Sequence, residues 1–148
     1  KIIKAIKNEF KDDTNFEMES NVSSFESIYS TYGLISDWSG IAIEYAFVCE
    51  RPVLYVDGHQ KINNSSYHKI PCKPLEISIR NLIGKVISAN ELQSLPKIVE
   101  STYENIDHFK TRIQEVRSET MFNLSQSGIK GAQEIVNILR EKKELDKN

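Results

Sequence analysis

Two periods organise the hydrophobic pattern of this chain, and the stretch from Ser36 to Asp57 shows both. Gly33-Leu34-Ile35 is a short apolar run ending in Ser36-Asp37, and Pro52-Val-Leu-Tyr-Val56 is β-branched and aromatic and stops at Asp57-Gly58. Both read as parallel strands. Between them, Ile41 to Val48 carries a single charge, Glu44. A helix this apolar has to be buried on most sides, so the pattern predicts strand, turn, helix and strand in an α/β layer.

The flanking pattern extends the layer. Ile2, Ile3, Ile6 and Phe10 recur at helical spacing with lysines opposite, predicting an amphipathic helix. Lys11 to Asn15 reads as a turn, and Phe16 to Met18 as a short strand delivering Glu19-Ser20-Asn21 to the sheet edge. Ser23-Ser24 then caps a helix through Phe25, Ile28 and Tyr29, with Glu26 completing a capping box and the end near Tyr32-Gly33. Asp57 to Lys69 is a polar loop without periodicity.

Pro74 to Gly84 predicts a brief extended piece running into one helical turn, and Lys85 to Ala89 the last strand. Asn90 starts a long helical run whose apolar face includes Leu95, Ile98, Ile106, Ile113 and Val116, with Pro96 near its start, where proline is tolerated. Ser118 to Gly128 breaks that run, with Met121, Phe122 and Leu124 available for burial. In the last amphipathic helix Ile129, Ala132, Ile135, Val136 and Leu139 share a face, and the charged tail from Arg140 to Asn148 reads as frayed. The fold class is therefore α/β, a parallel sheet with a helical C-terminal extension. Its divisions are 1–126 for the α/β domain and 127–148 for the terminal helix and tail.

Composition narrows the chemistry. The 148 residues are one domain's worth, and 19 basic against 21 acidic residues give a net charge of −2. That balance argues against a nucleic-acid partner held by bulk charge. Cys49 and Cys72 have neither metal-ligand spacing nor a disulfide framework, which reads as a reduced, cytoplasmic chain. No apolar run approaches the roughly 20 residues that span a bilayer, so any membrane contact is expected to be peripheral. The chain begins in a helix with no strand ahead of it, and we expect a fragment of a longer protein.

Candidate chemistry gathers at the turn Asp37-Trp38-Ser39-Gly40. Small residues, free backbone N–H groups and the helix dipole make such a turn an anion-binding end, with phosphate the obvious guest. The plainer reading is that Ser39 or Asp37 is only a helix cap. Glu44, about one turn further on, needs a partner: a nucleotide ribose, Arg51 or solvent. In the polar loop, His59, Lys61 and His68 are candidates to neutralise a leaving phosphate. His59 and His68 lack a nearby Cys or aligned carboxylate, so no metal and no cofactor is expected. Arg80 is a functional cation or a solvated surface charge, and the pattern favours the second reading.

The string SDWSGIAIEYAFVCERPVLYVD resembles the C-terminal half of GT-B-fold transferases, and most closely the CDP-glycerol glycerophosphotransferase-like family of cell-surface polymer enzymes. The similarity continues through Lys61-Ile-Asn-Asn64, Tyr67-His-Lys-Ile70, Pro74 to Arg80 and Ile83-Gly84, and ends at Ser127-Gly128. The resemblance implies that 1–126 is an incomplete, Rossmann-like nucleotide-binding half of a GT-B fold, that Ser36, Asp37, Ser39 and Gly40 hold the donor's nucleotide diphosphate and that Glu44 lies near the ribose. It implies a nucleotide-activated donor, CDP-glycerol or a nucleotide sugar, a polymer acceptor, and an N-terminal GT-B domain upstream that carries the catalytic base. A nucleotide-sugar 2-epimerase-like domain and a non-catalytic interaction domain retaining the fold are the alternatives.

Overall fold

The β-branched and aromatic runs form a three-stranded parallel sheet in the computed structural model, which describes residues 1–19, 25–58 and 64–145. Strands β1 (Leu34–Ser36), β2 (Val53–Asp57) and β3 (Gly84–Ser88) lie in the order β1-β2-β3. Leu34 pairs with Val53, Ser36 with Tyr55, Val53 with Gly84 and Asp57 with Ser88. Two helices precede β1: α1 (Ile2–Glu9) and α2 (Phe25–Ser30). They belong to a compact unit, Lys1–Thr31, separate from the unit Tyr32–Asn148 that holds the sheet.

The crossover from β1 to β2 is α3 (Ile41–Cys49), and that from β2 to β3 contains a 3-10 turn at Tyr67–Lys69 and two single-turn helices, α4 (Leu75–Ser78) and α5 (Arg80–Ile83). Ala42, Tyr45, Ala46 and Phe47 of α3 are buried, as the apolar pattern requires, while Glu44 and Val48 face outward. After β3 come a 3-10 segment (Ala89–Ser94), α6 (Leu95–Glu104), α7 (Ile106–Thr120) and α8 (Ser127–Leu145). α7 lies against α3 and α5, and its Ile113 and Val116 are buried with Leu54, Ile83 and Ile87 in the core.

One clamp ties the end of α3 to α7. Glu50 ends α3 in the left-handed region at φ 52, and its carboxylate accepts from Arg117 at 2.7 Å and Gln114 at 2.8 Å, with Lys110 at 3.7 Å. Arg117 also donates to the Phe47 carbonyl, one of the carbonyls the helix leaves unpaired. The Arg117 and Gln114 hydrogen bonds hold the Glu50 carboxyl below its ordinary 4.5. A carboxyl depressed in the folded state contributes stability that is present above its unfolded value and lost as pH falls through the folded one. Urea midpoints of the parent are therefore expected to fall on acidification below about pH 4.5 more steeply than those of Glu50→Gln. Parallel curves would remove this clamp from the account.

Several expectations change. Phe16 to Met18 is not a strand; the Phe16 ring stacks on Phe10 at 4.8 Å and stays in a local turn structure. Leu75, Ile77 and Ile79 alternate like a strand but lie in α4 and at its end, because Pro74 at φ −55 and ψ 143 starts a helical turn directly. The long run from Asn90 is three elements, with a capping box between Ser88 and Glu91 opening the 3-10 segment and a break at Asn105. Met121, Phe122 and Leu124 remain exposed. The charged tail continues α8 to Leu145, sustained by the good helix formers Arg140, Glu141, Lys142 and Lys143. The Ser23-Ser24 cap lies outside the described residues.

Candidate functional site

Because the strands are parallel, Ser36, Asp57 and Ser88 end at one edge of the sheet, the edge beyond which open α/β sheets bind ligands. The chain leaves β1 through Asp37-Trp38-Ser39-Gly40 and enters α3 with Gly40 as N-cap, and among the described residues no side chain caps the helix. The Ala42 and Ile43 amides turn back onto the Ser39 and Gly40 carbonyls at 3.2 and 3.1 Å. The Gly40 and Ile41 N–H groups have no partner among the described residues. Ser39 and Asp37 are thus not caps, and this helix end keeps donors free for an acceptor from outside.

Beside this turn lies Arg80. Ile79 and Ile83, which flank it on the short helices, are 3% and 0% exposed and drive α4 and α5 onto the sheet, carrying the arginine inward to 6% exposure. Its guanidinium carbon lies 3.9 Å from the centroid of the Trp38 ring and 4.9 Å from that of Tyr55. Nη1 donates to Asp57 Oδ1 at 2.9 Å. Nε and Nη2 are buried and have no hydrogen-bond partner among the described residues, and the same holds for the Tyr55 hydroxyl. Burial pushes the Tyr55 phenol up to about 12, with the Arg80 charge pulling the other way, so the hydroxyl keeps its proton at neutral pH. The Trp38 indole N–H donates to the Gly58 carbonyl at 3.4 Å, linking the turn after β1 to the end of β2.

These groups share a cavity of about 30 Å³. Its walls are Asp37, Trp38 and Ser39 from the turn, Ile43 from α3 and Tyr55 from β2, with Glu76 and Arg80 closing it from α4 and α5. That space admits a water or one or two oxygens of a larger group, so the body of any larger guest lies outside, over the start of α3. A wider groove of about 420 Å³ next to Asn81, His108 and Arg112 is less suited to an anion, because Arg112 is already paired with Glu115 at 2.9 Å.

The residues expected from sequence divide accordingly. Asp37 and Ser39 line the cavity, Ser36 is half-buried at the end of β1, and Gly40 opens α3. Glu44 is exposed on the next turn of α3 and does not line the cavity. His59 and Lys61 lie outside the described residues, and His68 is exposed on the 3-10 turn. Arg80 is the main correction: it is a buried cation lying against two rings, not the solvated charge that the pattern favours. Its signal was in the sequence, as an arginine set among Ile77, Ile79, Leu82 and Ile83. Trp38, Tyr55, Asp57 and Glu76 were also missed as neighbours, since only the fold brings them to Arg80.

Among the described residues, no cluster of three or more histidines, cysteines or carboxylates is arranged to hold a metal, and no helix is long and apolar enough to cross a membrane. No family model, no curated protein and no solved structure matches this chain.

Proposed function

We propose that this chain is the donor-binding half of a GT-B transferase that moves a glycerophosphate or glycosyl group from a nucleotide-activated donor to a cell-surface polymer. The observation that carries the reading is the uncapped start of α3 at the carboxyl edge of a parallel sheet, next to a buried arginine with free donors. A diphosphate laid across this edge would meet the Gly40 and Ile41 amides, the Ser39 hydroxyl and the Arg80 charge together.

For CDP-glycerol, an acceptor hydroxyl attacks the β-phosphorus and CMP leaves. For a nucleotide sugar, attack falls on the anomeric carbon and the nucleoside diphosphate leaves. In either case this half stabilises the charge on the leaving group. The catalytic base belongs to the N-terminal half, which meets the polymer, and the reaction is placed in the cytoplasm at the inner face of the membrane. Glu44 points to solvent from the turn above the cavity, where a ribose beyond the phosphates would have to reach it.

Calorimetric titration with CDP, UDP, CMP and CDP-glycerol tests the reading. The expected result is saturable binding of at least one nucleoside diphosphate, tighter than inorganic phosphate and weakened roughly 3- to 10-fold in Ser39→Ala through loss of one hydrogen bond. Equal affinity for CDP, UDP and inorganic phosphate would count against a nucleotide donor.

A further inference from the structure

The way Arg80 is held leaves one edge of its guanidinium free. Asp57 occupies Nη1, and the two unpartnered atoms, Nε and Nη2, together form the side edge that grips an oxyanion through two parallel N–H···O bonds. The Trp38 and Tyr55 rings both lie against the guanidinium, 3.9 and 4.9 Å from its carbon, and restrict how far the fork can turn toward water. The Tyr55 hydroxyl, buried and unpartnered, is a further donor at the same cavity. Buried donors without partners are costly, and a fold that retains three of them on two residues walling one cavity retains them for an acceptor.

We infer that the Nε–Nη2 edge of Arg80 is the receptor for a phosphoryl oxyanion, oriented by Asp57, Trp38 and Tyr55 and set beside the Asp37-Trp38-Ser39 turn that leads into α3. The inference deepens the donor-site reading above and rests on it for the choice of phosphoryl over other oxyanions. One or two phosphoryl oxygens fill the cavity, and the rest of the ligand lies outside. Asp57 is a positioning residue: its bond to Nη1 anchors one end of the guanidinium and leaves Nε and Nη2 as the free donors.

The rim adds selectivity. Asp37 and Glu76 line the same cavity and place carboxylates beside the bound anion. They oppose a dianionic phosphate more than a monoanionic diester-type phosphoryl group, such as the inner phosphate of an activated alcohol or sugar. Removing the Glu76 charge should therefore tighten binding.

Trp38 is the sole tryptophan of the chain and stacks on Arg80, so its fluorescence reports occupancy directly. The test is a titration of the 148-residue chain with inorganic phosphate and with CDP at constant ionic strength, using chloride as the control anion. The parent is expected to show a saturable fluorescence change with both. Arg80→Lys, which keeps the charge but loses the fork, should bind roughly tenfold more weakly. Tyr55→Phe should weaken binding roughly 3-fold, and Glu76→Gln should tighten it by a similar factor.

Absence of a saturable change in the folded parent, or unchanged affinity in Arg80→Lys, overturns the inference. Should Arg80→Lys fail to fold, unchanged affinity in both Tyr55→Phe and Glu76→Gln overturns it instead. Arg80-dependent binding of CDP no tighter than that of phosphate keeps the receptor and removes the nucleotide donor. Tight CDP binding indifferent to Arg80 does the reverse.

Discussion

Replacing Gly84 by alanine is expected to destabilise the protein by on the order of 3 kcal/mol, enough to unfold a marginal domain. Gly84 opens β3 directly opposite Val53, and an added Cβ would overlap the Val53 backbone, nearest its carbonyl oxygen. The obstacle is main chain in the middle strand, so no side chain can rotate aside to make room. Relief requires β2 and β3 to separate at Val53–Gly84, the first of five paired positions. The same separation would disturb Asp57 at the far end of β2, and with it the partner of Arg80. Gly40→Ala is the control: nothing lies within 4 Å of its added Cβ and its φ of −60 suits alanine. A change of about 1 kcal/mol or less is expected there. Urea midpoints of the two variants check both, and a Gly84→Ala chain as stable as the parent would mean that the β2–β3 pairing is not as described.

Arg80→Met is expected to abolish phosphate and nucleotide binding while leaving the ligand-free protein as stable as the parent or more stable, by about 1 kcal/mol. The reasoning runs through what Arg80 costs in the absence of a guest. It is 6% exposed, satisfied at Nη1 alone, and leaves two buried donors unpaired. Methionine keeps similar volume beside the Trp38 and Tyr55 rings, can make favourable sulfur–aromatic contacts and removes both unpaired donors. Removing one partner of a fully buried ion pair usually costs 3–5 kcal/mol, but the Asp57 side chain is 45% exposed and can turn to water. A residue kept for structure would behave oppositely, with loss of stability on substitution. Thermal melts of ligand-free parent and variant, set beside the titrations, separate the two cases.

The parts of the fold that were legible in sequence are those where one local signal suffices. The strand ends at Ser36 and Asp57, the apolar α3 and the amphipathic α8 followed from periodicity, because each buries or exposes a face that its own residues define. The Ser39 turn was legible as a helix start at the carboxyl edge of a strand. What failed needed tertiary information. Leu75, Ile77 and Ile79 fit either period, and Pro74 decided between them. The break at Asn105 has no proline or glycine to announce it.

Arg80 was misread because a single arginine on a short amphipathic segment is usually solvated. Only the parallel pairing of β1 with β2 sets Trp38, Tyr55 and Asp57 around it, from positions 23 to 42 residues earlier in the chain. Glu44, conversely, looked costly on an apolar helix, yet it occupies the solvent side that even this helix retains.

The most direct measurement is an NMR titration of the ¹⁵N-labelled chain with CDP. The account predicts that the largest shifts fall on the Gly40 and Ile41 amides, the Trp38 indole N–H and the Arg80 Nε–H, with the Arg80 resonance moving as its free edge gains a phosphoryl partner. Saturable binding with shifts confined to α7 or α8, and those four signals unmoved, would contradict it.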